Sequence, residues 1–242
     1  MGKFGILIKA AAAVVLLAAA HTVSEARPGI EAGYVNAQYR SKFVASSDIA
    51  DSFCMNGFFV GASSDTRLYS NKLFFNTGLY YNMLKRSEVQ DLSIARMSGT
   101  RSEHSLSVPL QLKFRFYLRY SINMFIYAGP TLDFGFVSDV RYSVRSEALG
   151  LEGNISYNYY NGRIRSSNIP EEYLRGVEEV LPDARYNWFD VSMGGGVGFE
   201  FLKFIELRAG YDWGLLNRYR QSYSDDMLCR RNQVYVALGF RF

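Results

Sequence analysis

The alternation of apolar and polar residues along extended segments restricts the fold most. In the last ten residues, one face carries Val234, Val236, Leu238, Phe240 and Phe242. The opposite face includes Gln233 and Arg241, and in segment 204–214 it holds Glu206, Arg208 and Asp212. A repeat of two residues is typical of a strand. Charged side chains are costly in a dry core, but they suit the inside of a barrel whose outer surface faces lipid.

The same alternation predicts eight strands, at about 29–40, 56–67, 72–83, 104–118, 122–138, 187–201, 204–214 and 233–242. The connections alternate between short turns (68–71, 119–121, 202–203) and long loops (41–55, 84–103, 139–186, 215–232). Since lipid offers no hydrogen-bond partner, the first strand must pair with the last. The sequence therefore predicts an all-β fold, a closed antiparallel up-and-down transmembrane β-barrel with short periplasmic turns and long extracellular loops.

The N-terminal segment has the layout of a signal peptide. Lys3 and Lys9 precede and border the apolar run 10–20, and Ser24-Glu25-Ala26 provides small residues for cleavage. A spanning helix needs about 20 apolar residues, so a membrane anchor is the weaker alternative. We expect residues 1–26 to be removed and 27–242 to form one exported domain in the bacterial outer membrane.

Eight strands leave an interior just wide enough for side chains. The residues predicted to fill it as an ionic network are Glu31, Lys113, Arg115, Asp133, Glu200, Glu206, Arg208 and Asp212. The network predicts a plugged interior without a continuous aqueous pore. The lipid-facing residues of the final strand, Val236, Leu238, Phe240 and Phe242, are interpreted as the signal for barrel assembly.

Aromatic residues near the strand ends predict a girdle at the two membrane interfaces. The residues assigned to it are Tyr80, Tyr81, Tyr117, Tyr120, Trp188, Tyr211 and Trp213. Ordinary core aromatics are the alternative.

Cys54 and Cys229 are the two cysteines of the chain, and both fall near the outer rim on strands that flank the first strand. An exported chain meets an oxidising compartment, so a disulfide that joins the first and last loops is one interpretation. Two free thiols are the other.

Several stretches together resemble the PorT-like outer-membrane β-barrel proteins of Bacteroidota, of the OmpX/OmpA eight-stranded type. They are 56–61 (NGFFVG), 77–81 (TGLYY), 108–114 (VPLQLKF), 127–130 (YAGP), 194–200 (GGGVGFE) and 237–242 (ALGFRF). The likeness spans nearly the whole exported chain except its loops. It implies an eight-stranded outer-membrane barrel, and for one named member a role in protein secretion. The long loop 139–186 departs from the compact pattern of that family.

His104 is the one histidine of the exported region, with Ser102, Glu103 and Ser105 beside it. A lipid-modifying enzyme would need an orienting acid, for which Asp91 or Asp225 could approach. Neighbouring residues of a strand point to opposite faces, so Ser105 cannot simply face His104. We therefore predict no catalytic residues, no metal site and no cofactor.

Three functions compete at this point. The first is a non-enzymatic barrel with a structural, adhesive or secretion-accessory role. The second is the lipid-modifying enzyme, and the third is a secreted lipocalin-like barrel, which the inward charges disfavour.

The expected partners are outer-membrane lipid, lipopolysaccharide and the barrel-assembly machinery. An extracellular ligand or envelope protein would bind the loops, among which 139–186 has a predicted short helix from Pro170 to Val180. The formal net charge of +4 and the export signal argue against nucleic acid. We expect a monomer.

Overall fold

The computed structural model describes residues 26–44, 49–68, 70–92, 95–119, 121–146, 151–168, 186–220 and 227–242. The strands in this part of the chain are β1 (Ala26–Phe43), β2 (Ile49–Arg67), β3 (Leu73–Leu92), β4 (Ala95–Arg119), β5 (Ile122–Ser146), β6 (Leu151–Asn158), β7 (Ile164–Ser167), β8 (Phe189–Phe201), β9 (Ile205–Gly214) and β10 (Met227–Arg241). No helix among these residues has the length and apolar character needed to cross a membrane.

Eight of the strands form a closed antiparallel ring in the order β1, β2, β3, β4, β5, β8, β9, β10. The ring closes where β10 pairs with β1, with Gly239 opposite Glu31. Every ring strand thus has a neighbour on both sides, which a barrel in lipid requires. The predicted all-β, up-and-down fold is confirmed, with β6 and β7 added outside the ring.

The predicted alternation explains which side chains face out. Leu238 is 49% exposed, whereas its neighbour Ala237 is 2% exposed. The exposed apolar side chains form a band around the ring, called here the lipid belt: Ile30, Tyr34, Phe58, Val60, Leu79, Leu112, Phe114, Phe116, Ile126, Phe136, Met193, Val197, Phe199, Leu207, Tyr211, Trp213, Val234, Val236, Leu238 and Phe240. Such a band is stable only against an apolar solvent.

The periplasmic turns are short, as predicted. Between β8 and β9, Leu202 and Lys203 both have positive φ angles, of 52° and 69°. Two consecutive residues of this kind form the turn whose twist matches an antiparallel hairpin. The Phe204 amide closes the turn on the Phe201 carbonyl at 3.1 Å.

The extracellular connections differ from the predicted loops. The segment 84–103 is almost entirely strand, because β3 continues to Leu92 and β4 begins at Ala95. The segments 41–55 and 139–186 likewise lose residues to β1, β2, β5, β6 and β7. These extensions lie beyond the lipid belt, where most of the outward residues are polar and Val89 is an exception. The regular apolar half of the alternation, which identifies a membrane strand in the sequence, is therefore missing there.

Strand β5 changes its partner along its length. Residues 122–134 pair with β8, whereas residues 139–146 pair with β6. A bulge lies between, because His104 and Ser105 of β4 oppose Val137 and Gly135 and leave Phe136 as the extra residue. Consequently β5, β6 and β7 continue the wall of the barrel into an extracellular sheet with β3 and β4.

Some predictions fall outside the described residues. The signal peptide does so except for Ala26, which begins β1 opposite Thr66. The helix predicted between Pro170 and Val180, the girdle residue Tyr120 and the acid Asp225 also lie there.

Candidate functional site in the barrel interior and mouth

The periplasmic half of the interior is built around Lys113. Its ammonium lies 2.9 Å from Asp65 Oδ2 and 2.7 Å from Glu206 Oε2. Arg241 Nε contacts the same Glu206 carboxylate at 2.9 Å, and its Nη2 contacts Glu31 Oε1 at 2.8 Å. Each buried charge therefore faces opposite charges from other strands, the condition under which buried ions are tolerated.

This network continues toward both ends. Arg208 joins Glu31 at 2.8 Å, and Arg115 joins Glu200 at 3.0 Å. Glu200 is also 3.2 Å from Arg27 near the periplasmic opening. These contacts tie strands on opposite sides of the ring together, so the interior side chains act as a crosslinked plug.

All eight residues predicted for the ionic network lie buried in the interior. Asp65 also belongs to the network but is not among the eight predicted residues, although it shares the inward face of β2 with Gly61 and Ser63. Arg241 is predicted on the inward face without a role in the network, and the structure adds it through Glu31 and Glu206.

An aromatic layer crosses the middle of the barrel. Phe59, Tyr80, Tyr127 and Tyr235 are all buried there, and the Arg208 guanidinium lies 5.5 Å from the ring centres of Tyr80 and Tyr127. The assignment of Tyr80 to the interfacial girdle is wrong, because its side chain points inward. Tyr117, Trp188, Tyr211 and Trp213 are exposed on the outside instead.

A cavity of about 40 Å³ remains within this layer, beside Arg208 and Asp212. It has room for at most a few water molecules. Toward the extracellular side, Arg231 contacts Asp133 at 2.6 Å, and Gln233 donates to Asp212 at 2.8 Å. Through the described residues, the interior is filled from the periplasmic network to the mouth.

The mouth is closed by a second charged group, here called the cap cluster: Tyr39, Phe53, Arg101, Glu103, Tyr159, Tyr186 and Arg218. Glu103 is its centre, with Arg101 at 3.1 Å and Arg218 at 3.3 Å, and the Tyr39 hydroxyl donates to it at 2.6 Å. The cap cluster lies above the upper edge of the lipid belt, where Tyr81, His104 and Phe136 stand. Burial raises the pKa of the Glu103 carboxyl, but Arg218 and Arg101 outweigh it and lower that pKa to about 2. Glu103 thus stays charged.

Aromatic rings surround the two arginines of the cap cluster. The Arg101 guanidinium lies 4.2 Å from the ring centre of Tyr159 and 4.7 Å from that of Phe53. Arg218 lies 5.0 Å from the ring centre of Tyr39. Such cation–π contacts are strong when desolvated. The alternation does not predict this cluster, because all of its residues except Tyr39 come from segments assigned to loops.

The structure does not bring the two cysteines together. Cys54 is exposed on β2 and Cys229 is buried on β10, and both thiols are free. Strand β1 lies between them, with Gln38 opposite Cys54 and Ser41 opposite Cys229. Since the two side chains leave the wall on opposite faces, the disulfide interpretation fails in this structure.

His104 faces outward, and its Nδ1 lies 2.5 Å from the Tyr81 hydroxyl. Ser105 points into the barrel and is buried, while Glu103 is held in the cap cluster. Neither of the residues adjacent to His104 in sequence therefore pairs with its ring. Within the same part of the chain, no three metal-binding side chains converge.

A closed ring of strands with an apolar outside and an ionic interior defines a membrane β-barrel. The chain belongs to the outer membrane protein β-barrel domain family, whose model matches residues 20–219. That membership assigns it to the bacterial outer membrane. A sequence comparison with curated proteins finds no match.

Solved structures of outer-membrane barrels are similar to this chain at low identity. The attachment invasion locus protein Ail of Yersinia pestis, solved with the heparin analogue sucrose octasulfate, is 14% identical with a TM-score of 0.42; the match covers 90% of this chain and 99% of Ail. Neisserial surface protein A is 11% identical with a TM-score of 0.39; the match covers 88% of this chain and 97% of that protein. The outer membrane protease OmpT of Escherichia coli is 7% identical with a TM-score of 0.30; the match covers 90% of this chain and 97% of OmpT. The family assignment rests on the sequence model and not on these likenesses.

Proposed function

We propose that this protein is a non-catalytic outer-membrane barrel that does not conduct solutes and acts through its extracellular sheet, in a structural, adhesive or secretion-accessory role. The observation that carries the proposal is the filled interior, from the Lys113 network to the cap cluster. A barrel whose lumen is filled by side chains has no pathway for a solute. Any binding function would then be carried out by the outer surfaces of the barrel.

The extracellular sheet has the support that a binding surface needs. The cap cluster lies behind it, and the Tyr142 hydroxyl donates to Glu88 at 2.6 Å between β5 and β3. Rigid elements hold binding groups more accurately than loops do. An adhesive or assembly function would therefore use this sheet.

The secretion-accessory role is the form of the proposal that the PorT-like resemblance supports. An enzymatic role finds less support, since the His104 ring is hydrogen-bonded to the Tyr81 hydroxyl and the adjacent Glu103 and Ser105 point into the barrel. The proposal also includes a monomeric barrel that is inserted by the barrel-assembly machinery.

Ion conductance in planar bilayers tests the filled interior. We expect the purified, folded protein to insert without a steady current, because the buried ion pairs leave no continuous aqueous path. A general porin inserted in the same bilayers is the positive control. Steady channel currents from the folded barrel would contradict the proposal.

A further inference from the structure

The outward face of the extracellular sheet carries matching rows of mostly polar side chains. The strand registers align them as Lys85, Ser102, Asp139 and Asn158; Ser87, Thr100, Arg141, Ser156 and Arg165; and Val89, Ser98, Ser143, Asn154 and Ser167. Except for Asn158, these residues line a concave trough of about 1010 Å³, called here the outer groove. It lies on the outside of the wall and is separate from the plugged interior.

The outer groove begins at the edge of the lipid belt. Its lowest row is Met83, His104 and Val137, adjacent in register, and the His104 ring lies 6.2 Å from the ring of the exposed Phe136. Lys85 is two residues and Arg141 four residues further along their strands, which at 3.4 Å per residue is roughly 7 Å and 14 Å beyond that row, measured along the tilted strands. The groove therefore stands at the level of the lipid headgroups and the sugars attached to them.

The charges of the outer groove favour an anion. Lys85, Arg141 and Arg165 line it, and none of them has an ion-pair partner among the residues that the structure describes. Two acids also line it. Asp139 accepts a hydrogen bond from the Asn158 amide, whereas Glu88 accepts one from the Tyr142 hydroxyl and lies 3.8 Å from Arg86. Guanidinium groups bind phosphate oxygens in pairs.

The remaining lining consists mostly of serine, threonine and asparagine side chains, which can both donate to and accept from sugar hydroxyls. The groove thus combines cationic side chains that can bind phosphate with hydroxyl and amide side chains that can bind sugar. This combination matches a phosphorylated oligosaccharide.

We propose that the outer groove binds the phosphorylated sugar headgroup of lipopolysaccharide in the outer leaflet. The inference rests on the outer-membrane placement within the proposed function, but not on the filled lumen. A glycolipid is favoured over a soluble polysaccharide because the groove opens onto the lipid edge. There the headgroup is already held at a high effective concentration.

The test is a titration of the purified, detergent-solubilised barrel with the deacylated, phosphorylated oligosaccharide released from lipopolysaccharide. The test variant is Arg141→Glu/Arg165→Glu. The control variant is Arg40→Glu/Arg230→Glu, which makes the same charge change on exposed outward residues that oppose each other in β1 and β10, away from the groove. Heat-modifiable gel migration shows that both variants are folded.

We expect saturable binding to the native barrel. The affinity should fall by roughly tenfold or more in the groove variant, since two charge-assisted contacts become repulsive, and change by less than about twofold in the control. The dephosphorylated oligosaccharide should bind weakly, and equimolar inorganic phosphate should not compete. Equal losses in both variants, competition by phosphate alone, or binding of a sulfated polysaccharide in place of the oligosaccharide would overturn the inference. None of these outcomes bears on the conductance test.

Discussion

Replacing Lys113 with methionine is expected to lower the free energy of unfolding by about 3–5 kcal/mol, because it leaves buried carboxylates without their shared cation. Lys113 is 1% exposed and contacts Asp65 and Glu206 from different strands. Methionine keeps most of the volume of the side chain, so the loss would reflect charge and not a cavity. Denaturant titration in detergent micelles or vesicles, followed by the heat-modifiable gel shift, measures it.

The matched control for this experiment is Lys72→Met, in the exposed turn before β3. It makes the same chemical change outside the network and should alter stability by less than about 0.5 kcal/mol. Adding Asp65→Asn to the Lys113→Met variant should restore part of the stability, since it removes one of the two buried carboxylates that have lost the Lys113 ammonium. Equal stability of the Lys113 and Lys72 variants would contradict the ionic plug.

The second large effect is expected on the outside of the barrel. Leu238 lies in the middle of the apolar face of β10, between Val236 and Phe240, and is 49% exposed in the isolated protein. In a bilayer, Leu238→Arg would place a guanidinium near the centre of the hydrocarbon. We expect a loss of about 2–4 kcal/mol, the depth-dependent cost measured for lipid-facing arginine in barrels.

Gln38→Arg provides the depth control for that substitution. Gln38 faces outward on the neighbouring strand β1, opposite Asn232 and above the lipid belt. Near the interface the cost falls to about 0–1 kcal/mol. Both variants should be refolded into phospholipid vesicles and unfolded under the same conditions. An arginine at position 238 that is tolerated as well as one at position 38 would mean that β10 does not face lipid there.

The ring of the barrel could be read from the sequence because its signal is local. Along β9, Glu206, Arg208 and Asp212 alternate with apolar residues, and a period of two fixes which side of the wall each one takes. The same rule places Cys54 with the outward Asn56 and Phe58, and Cys229 with the inward Arg231. Applied to the cysteines, it would have placed them on opposite faces.

The extracellular architecture could not be read in this way. Continued alternation from Asp133 would place Val137 inside, but the bulge at Phe136 reverses the faces from that point onward. The exchange of β8 for β6 as the partner of β5 depends on pairing between distant segments. The cap cluster likewise brings Arg101 against Tyr186 and Glu103 against Arg218, across the ring. The alternation of residues within one segment carries no information about such contacts between distant segments.

Oxygen accessibility along β10 tests the central assignment, a barrel with its apolar face in lipid and its charged face inside. Single spin labels would replace residues 233–240 in turn, on a background without Cys54 and Cys229, in the protein reconstituted in lipid vesicles. We predict high accessibility to oxygen at 234, 236, 238 and 240 and low accessibility at 233, 235, 237 and 239, since dissolved oxygen concentrates in hydrocarbon. A uniform profile, or one with the two sets reversed, would contradict the account.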